Sequence, residues 1–130
     1  MEQKFFVPYE TAVKLKAAGY PQFNINRSLM YGDDYYYDIY GVITKCGYGL
    51  LSIYCDDFGA ENDYVLAPTY HEAVDWLESK GVQVWTDYDG DLWWGLIASS
   101  VRKTAVATIS HATREEALNA AILKALEVLQ

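Results

Sequence analysis

The sequence lacks long hydrophobic runs: no apolar stretch approaches the roughly 20 residues that a membrane-spanning helix needs. Its opening residues, MEQKFFVPYE, contain no apolar segment of the length that a secretory signal requires. Because of both absences, we expect no membrane partner. They predict a cytoplasmic protein.

Cysteine is also scarce. Cys46 and Cys55 lie nine residues apart, without the C-x-x-C spacing of zinc and redox sites. We interpret both as reduced, small apolar side chains, and the sequence leaves open whether they touch. No cofactor is expected.

Basic residues are few, and their distribution is uneven. Ten Lys+Arg against eighteen Asp+Glu give a net charge of −8, and residues 31–98 alone hold thirteen acids and two bases. Nucleic-acid binding depends on neutralising phosphates with Lys and Arg, so nucleic acid is not the expected partner. The acidity favours solubility, with a dedicated basic partner as the alternative.

Glycine and proline are too few for disorder, at nine and three residues, while 52% of the chain is hydrophobic and 15% aromatic. A chain of 130 residues is long enough for one complete core and too short for two comfortable ones. We therefore predict a single ordered domain over residues 1–130.

The first predicted element is a short amphipathic helix in PYETAVKLKAAGYP. Pro8 suits a first helical position, and Gly19 followed by Pro21 ends the pattern. Its apolar positions are Tyr9, Ala12, Val13 and Ala17.

A tyrosine-rich stretch follows. YGDDYYYDIY at 31–40 holds five tyrosines and three aspartates, and residues from Tyr35 to Lys45 are mostly aromatic or β-branched. KCGYG at 45–49 supplies turn glycines, after which LLSIYC resumes the pattern. We predict a β-hairpin over 35–55 as an elaboration of the domain, with tyrosine rings packed and hydroxyl groups hydrated. The alternative is a tyrosine face that stacks on sugars, peptides or bases.

Two further helices carry the spacing of a capping box. Thr69 and Glu72 open a helix that Gly81 ends, with Tyr70, Ala73, Val74 and Leu77 on one face. Thr113 and Glu116 open the last helix, whose apolar positions are Leu118, Ala121, Ile122, Ala125 and Leu129. Together with the strands between them, these helices predict an αβββα core over residues 69–129.

Asp89-Gly90 lies between two strand-like runs, which is a strong hairpin signal. A two-residue turn predicts that Trp85 faces Trp94 and that Val84 faces Gly95. TAVATIS predicts a third strand.

Both faces of this hairpin are apolar. One face carries Val82, Val84, Trp93 and Ile97, and the other carries Trp85, Leu92, Trp94 and Leu96. Helices cover only one face, so we expect the tyrosine hairpin or a second copy of the chain to cover the other.

No motif carries catalytic chemistry. HEAVD at 71–75 has aspartate in place of the second histidine of a zinc-protease helix, and DYDGD at 87–91 lacks the glycine and closing glutamate of a calcium loop. No local signature joins a nucleophile to a histidine and a carboxylate. We predict no catalytic residues, no metal site and no enzymatic activity.

The helix-strand-strand-strand-helix order from residue 69 onward resembles the double-stranded-RNA-binding domain, as does the alanine-rich TREEALNAAILKALEVL. The resemblance implies topology alone. Where that family places phosphate-binding lysines, this chain has Arg114, Glu115 and Glu116.

Three stretches, YETAVKLKAAGY (9–20), APTYHEAVDWLESKG (67–81) and TREEALNAAILKALEVL (113–129), are similar to a family of small uncharacterised proteins of gut-bacterial genomes, prophages and mobile elements. The resemblance implies a bacterial or phage origin. It implies no activity.

The expected fold is α+β, in the order α-β-β-α-β-β-β-α, with an antiparallel sheet over 82–110 that the tyrosine hairpin extends or covers. The expected function is that of a non-enzymatic acidic accessory protein that acts through protein contacts or self-association. The alternative is a binding module that stacks sugars or nucleobases on Tyr35, Tyr37, Trp85 and Trp94.

Overall fold

A computed structural model gives the fold and describes residues 6–21, 33–37, 40–47, 65–100, 104–107 and 110–129. Its elements are α1 (Tyr9–Ala17), β1 (Asp33–Tyr37), β2 (Ile43–Gly47), β3 (Val65–Leu66), α2 (Tyr70–Ser79), β4 (Val82–Tyr88), β5 (Trp93–Ser99), β6 (Thr104–Ala107) and α3 (Arg114–Leu129). The predicted α+β class is confirmed, and the short β3 is added to the predicted order. Within these ranges, no helix has the length and apolarity to cross a membrane.

Helix α1 follows Pro8 and ends in a glycine-dependent cap. Gly19 has a φ of +102°, where its amide donates to the carbonyl of Lys16 at 3.0 Å. The amide of Tyr20 donates to the carbonyl of Leu15 at 2.9 Å, which completes a Schellman motif. The predicted stop signal is therefore confirmed.

The buried face of α1 differs from the predicted one. Thr11 and Leu15 are buried, whereas Val13 is 39% exposed. The hydroxyl of Thr11 donates to the side-chain oxygen of Asn119 at 2.6 Å. Because this polar contact docks α1 on α3, the helix turns its Thr11–Leu15 stripe inward, which apolar periodicity alone does not reveal.

The tyrosine hairpin turns earlier than predicted. Strand β1 pairs antiparallel with β2, with Tyr35 opposite Lys45 and Tyr37 opposite Ile43. The chain therefore reverses between residues 37 and 43, where Gly41 has a φ of +77°, and the predicted turn at 45–49 is wrong. The predicted second strand at 50–55 lies outside the described residues.

The two sheets are separate. The first has the order β2-β1-β3 and the second the order β4-β5-β6, both antiparallel. The described strands of the tyrosine hairpin, β1 and β2, do not extend the second sheet, because β1 lies between β2 and β3. Of the two predicted arrangements, extension and covering, extension is wrong for these strands.

The β4–β5 hairpin is shifted by two residues from the predicted register. Trp85 faces Leu96 and Val84 faces Ile97, so residues 89–92 form a four-residue loop. A shift of two residues keeps every side chain on its predicted face, because side chains alternate with a period of two. The two-residue turn was wrong, and the assignment of residues to faces holds.

Helices α2 and α3 cover one face of the second sheet. Val82, Val84 and Ile97 are buried there, in one cluster with Leu77 of α2 and Ile122 of α3. Tyr37, Leu15 and Val7 belong to the same cluster and join the first sheet and α1 to it. On the opposite face, Trp85 is 38% exposed, so the elements described leave this face partly open and the predicted sandwich is incomplete.

Candidate functional site

A groove with a volume of about 780 Å³ lies where the first turns of α2 and α3 meet β4. Three consecutive strand residues line it, so the groove follows β4 itself. Its lining consists of Thr69, Tyr70, His71, Val74, Val84, Trp85, Thr86, Arg114, Glu115 and Leu118.

A threonine cap fixes each helix start at the groove. The amide of Glu72 donates to the Thr69 hydroxyl oxygen at 3.2 Å, and the amide of Thr69 donates to the Glu72 carboxylate at 2.9 Å. At the second helix the amide of Glu116 donates to the Thr113 hydroxyl oxygen at 3.2 Å, while that hydroxyl donates to the Glu116 carboxylate at 2.9 Å. The predicted capping box at Thr69 is confirmed, whereas at Thr113 the threonine caps the helix without the reciprocal bond from its own amide to Glu116. Both caps place Tyr70 and Arg114 at the mouth of the groove.

The direction of the backbone groups in β5 follows from its contact with His111. The amide of Trp93 donates to the His111 carbonyl, and the amide of His111 donates to the Trp93 carbonyl, both at 2.8 Å. The N–H and C=O groups of Trp93 therefore point away from β4. Because these groups alternate along a strand, those of Trp94 and Leu96 point towards β4.

On β4 the same alternation leaves outward-facing groups. Trp85 and Asp87, which lie opposite Leu96 and Trp94, direct their backbone groups into the sheet. The backbone groups of Val84 and Thr86 therefore point outward, and they form no hydrogen bond with any other residue that the structure describes. An unpaired edge of this kind is a template for a further strand.

The inner wall of the groove is polar only at a few points. Tyr70 is half-buried, and burial first, with the negative charge of Glu115 next and Tyr37 last, raises its pKa to about 12. Its hydroxyl therefore stays protonated at neutral pH and is available as a donor. Arg114 and Glu115 bring one charge of each sign to the exposed rim.

The predicted binding residues are dispersed by the fold. Trp85 lines the groove, and Trp94 shares its sheet face but donates its indole N–H to the Asp89 carboxylate at 2.7 Å. Tyr37 is fully buried, and its hydroxyl donates to the carbonyl of Val7, so its proposed role in stacking on a ligand was wrong. Tyr35 lies in β1, where its pairing is described and its side chain is not.

Tyr70, His71, Arg114 and Glu115 were missed because they come from helix starts more than forty positions apart in the sequence. The two capping boxes located those starts. Three antiparallel strands separate the helices, so the chain reverses an even number of times and both helices begin at the same end of the sheet. The closeness of the two helix starts could therefore have been inferred from the sequence.

The residues described contain no cluster of three His, Cys, Asp or Glu side chains that would hold a metal ion. His71 lies 3.3 Å from the carboxylate of Asp75, one helical turn along α2, and both side chains are largely exposed. This pair is a surface contact beside the groove.

No protein-family model, curated protein or solved structure matches the chain. What the protein does must be inferred from the groove, the strand edge and the charges around them.

Proposed function

We propose that the protein is a non-enzymatic binding module that acts through protein contacts, receiving an extended segment of a partner along the outer edge of β4. The observation that carries the proposal is the outward-facing backbone of Val84 and Thr86 beside the groove, which forms no hydrogen bond within the part of the chain that the structure describes.

An added strand would complete the ladder at this edge. Val84 and Thr86 each offer one N–H donor and one C=O acceptor, and the spacing of two residues matches the alternate pairs of an antiparallel strand. Main-chain hydrogen bonds of this kind give affinity in strand addition, while side-chain pockets give selectivity.

Side chains on both sides of the edge would contact such a strand. Trp85 is 38% exposed on the open face and supplies a large, rigid apolar surface. On the helix-covered face, Val74 of α2 and Leu118 of α3 give the groove an apolar wall. A bound strand would therefore direct alternate side chains to the indole and to the groove.

The first test uses peptides of seven residues, the length of β4, selected from a random displayed library and measured by fluorescence anisotropy. Thr86→Pro removes the outward N–H and is expected to weaken binding at least tenfold, since proline cannot donate to a ladder. Thr86→Val keeps the amide and the β-branched shape, so it is the matched control and should bind normally.

Amide exchange in the unmodified protein gives an independent readout. Bound peptide should slow the exchange of the amides of Val84 and Thr86 selectively. Selection of no peptide, equal binding by the Thr86→Pro variant in a folded state, or protection confined to other amides would each contradict the proposal.

A second candidate function is stacking of sugars or nucleobases, which the exposed indole of Trp85 favours. Tryptophan fluorescence titrated with oligosaccharides and oligonucleotides tests it, with Trp85→Phe as the variant that should lose the response. An unchanged spectrum throughout the titrations would remove this candidate.

The proposed setting is the cytoplasm of a bacterium, with the protein as an accessory of a phage or mobile element. This part of the proposal rests on the three sequence stretches that are similar to a family of bacterial and phage proteins.

A further inference from the structure

The β4–β5 hairpin is acidic, whereas Arg114 and Glu115 at the rim of the groove carry one charge of each sign. Residues 81–100, which contain β4, β5 and their loop, hold three aspartates and neither lysine nor arginine. All three, Asp87, Asp89 and Asp91, are exposed. A strand that pairs with β4 would extend past these carboxylates.

The three carboxylates differ in their location and in how firmly hydrogen bonds hold them. Asp89 is held in the loop by the amides of Asp91 and Leu92, at 2.9 and 2.8 Å, and by the Trp94 indole. Asp87 lies on β4 itself, two residues beyond Trp85 and on the same face of the sheet. An indole and a carboxylate at this spacing lie side by side along the strand.

We propose, on the basis of the function proposed above, that the segment received by β4 is basic, with lysine or arginine at alternate positions on the face of Trp85 and Asp87. A cationic side chain placed there would lie over the indole ring, where its charge is attracted by the aromatic face. Its terminal group would reach the carboxylate of Asp87.

A second copy of this chain does not fit the same edge. Antiparallel pairing of two β4 strands about Thr86 would set Asp87 opposite Trp85 of the other copy, and neither β4 strand would offer a lysine or arginine to the other. Each copy also carries a net charge of −8, so repulsion opposes the approach. The partner is therefore a different protein with a basic extended segment.

The experiment compares three peptides of seven residues that alternate threonine with lysine, glutamine or glutamate, and it measures their dissociation constants with the full chain. The lysine peptide is expected to bind about tenfold more tightly than the glutamine peptide, because two or three exposed ion pairs form. The glutamate peptide should bind more weakly still, and added salt should bring the affinities of the lysine and glutamate peptides towards that of the glutamine peptide.

Substitutions identify which carboxylates cause the preference for the lysine peptide. Asp87→Asn and Asp91→Asn together should bring the lysine peptide close to the affinity of the glutamine peptide. Glu10→Gln and Glu78→Gln together, at exposed carboxylates on α1 and α2, remove the same number of charges and should change nothing. Thr86→Pro should weaken the lysine and glutamine peptides alike.

The outcomes separate the two proposals. Equal binding of the three peptides, all lost with Thr86→Pro, would keep strand addition and overturn the basic occupant. Binding of the lysine peptide that survives Thr86→Pro would overturn the edge as its site. A concentration-dependent dimer in sedimentation, abolished by Thr86→Pro, would identify a second copy as the occupant and overturn the inference.

Discussion

Asp89 fixes the β4–β5 loop, because one carboxylate accepts hydrogen bonds from two loop amides and from the Trp94 indole. These bonds favour the charged carboxylate, and they lower its pKa below the ordinary value of 3.8, with the Leu92 amide as the largest cause, then Trp94, then Asp91. Asp-Gly therefore does not form a two-residue turn here. The carboxylate organises a wider loop instead.

Asp89→Ala is expected to lower the free energy of unfolding at neutral pH. A depressed folded-state pKa contributes stability above the unfolded value, and this contribution is lost as the pH falls from 3.8 through the lower folded-state pKa. The difference between the two proteins should therefore shrink in acid, as urea unfolding at several pH values would show.

Asp91→Ala is the matched control for this loop. Its carboxylate is exposed and forms no hydrogen bond within the described residues, so neither effect should appear. A constant difference between wild type and Asp89→Ala down to strong acid would contradict the assignment.

The pKa of Tyr70 is shifted in the opposite direction from that of Asp89, so its contribution to stability is lost at high pH. Its pKa is raised to about 12, so the folded state favours the neutral phenol. That contribution is fully present below pH 10 and is lost as the pH rises from 10 through about 12. Tyr70→Phe should therefore remove part of the alkaline loss of stability, measured as the urea midpoint against pH.

Tyr88→Phe, at an exposed tyrosine, is the control and should leave the alkaline decline in place. Equal declines in wild type and Tyr70→Phe would show that the half-buried phenol of Tyr70 is not responsible for the alkaline loss of stability.

At the scale of elements, both helices beside the groove begin at a threonine cap, and the two caps differ. Thr69 makes the reciprocal pair of backbone contacts with Glu72 in a partly buried position, and Phe6 forms an isolated bridge with it. Thr113 is exposed, and its hydroxyl bonds the Glu116 side chain.

Thr69→Ala is expected to cost about 1 kcal/mol of unfolding free energy, near the middle of the range for helix caps. Thr113→Ala should cost less, because its cap is exposed and lacks the reciprocal contact to the threonine amide. Thr69→Ser and Thr113→Ser keep the acceptor and should restore most of the loss. A larger effect at Thr113, measured by urea unfolding, would contradict this ranking.

The features of the fold that depend on neighbouring residues were predicted from the sequence. The caps at Thr69 and Thr113 and the stop at Gly19 depend on neighbouring residues, so they were visible in the sequence. The turn near Gly41 and the pairing of β1 with β3 depend on distant partners, and a run of tyrosines with glycines on both sides does not specify them. The groove was missed for the same reason, although its indole at Trp85 was identified.

At the scale of the whole molecule, one core connects the two sheets. Tyr37 of the first sheet contacts Val7 through its hydroxyl and packs edge-on against the ring of Tyr9, with centroids 5.4 Å apart. Both Tyr37 and Val7 belong to the buried cluster that includes Leu77 and Ile97. The two sheets should therefore unfold together.

Tyr37→Phe tests this coupling, because all four tryptophans lie between residues 76 and 94 and report on the second sheet and α2. Loss of the hydrogen bond to Val7 leaves a buried carbonyl unpaired, and we expect a loss of about 1–2 kcal/mol in the tryptophan-monitored transition. Circular dichroism should give the same midpoint. An unchanged fluorescence midpoint would show that the sheets unfold separately.

The two hairpin tips offer unequal room for an inserted tag or label. At Gly41 a β-carbon would meet the Tyr9 ring at 3.4 Å, whereas nothing lies within 4 Å of the same position at Gly90. A fluorophore or epitope grafted at residue 41 would start in van der Waals contact with the Tyr9 ring of α1. The loop around Gly90 is sterically open, but Gly90 itself has a φ of +97° that disfavours any side chain, so the graft belongs at a neighbouring loop position. A reporter there would lie at the end of the strand edge whose occupancy it is meant to sense.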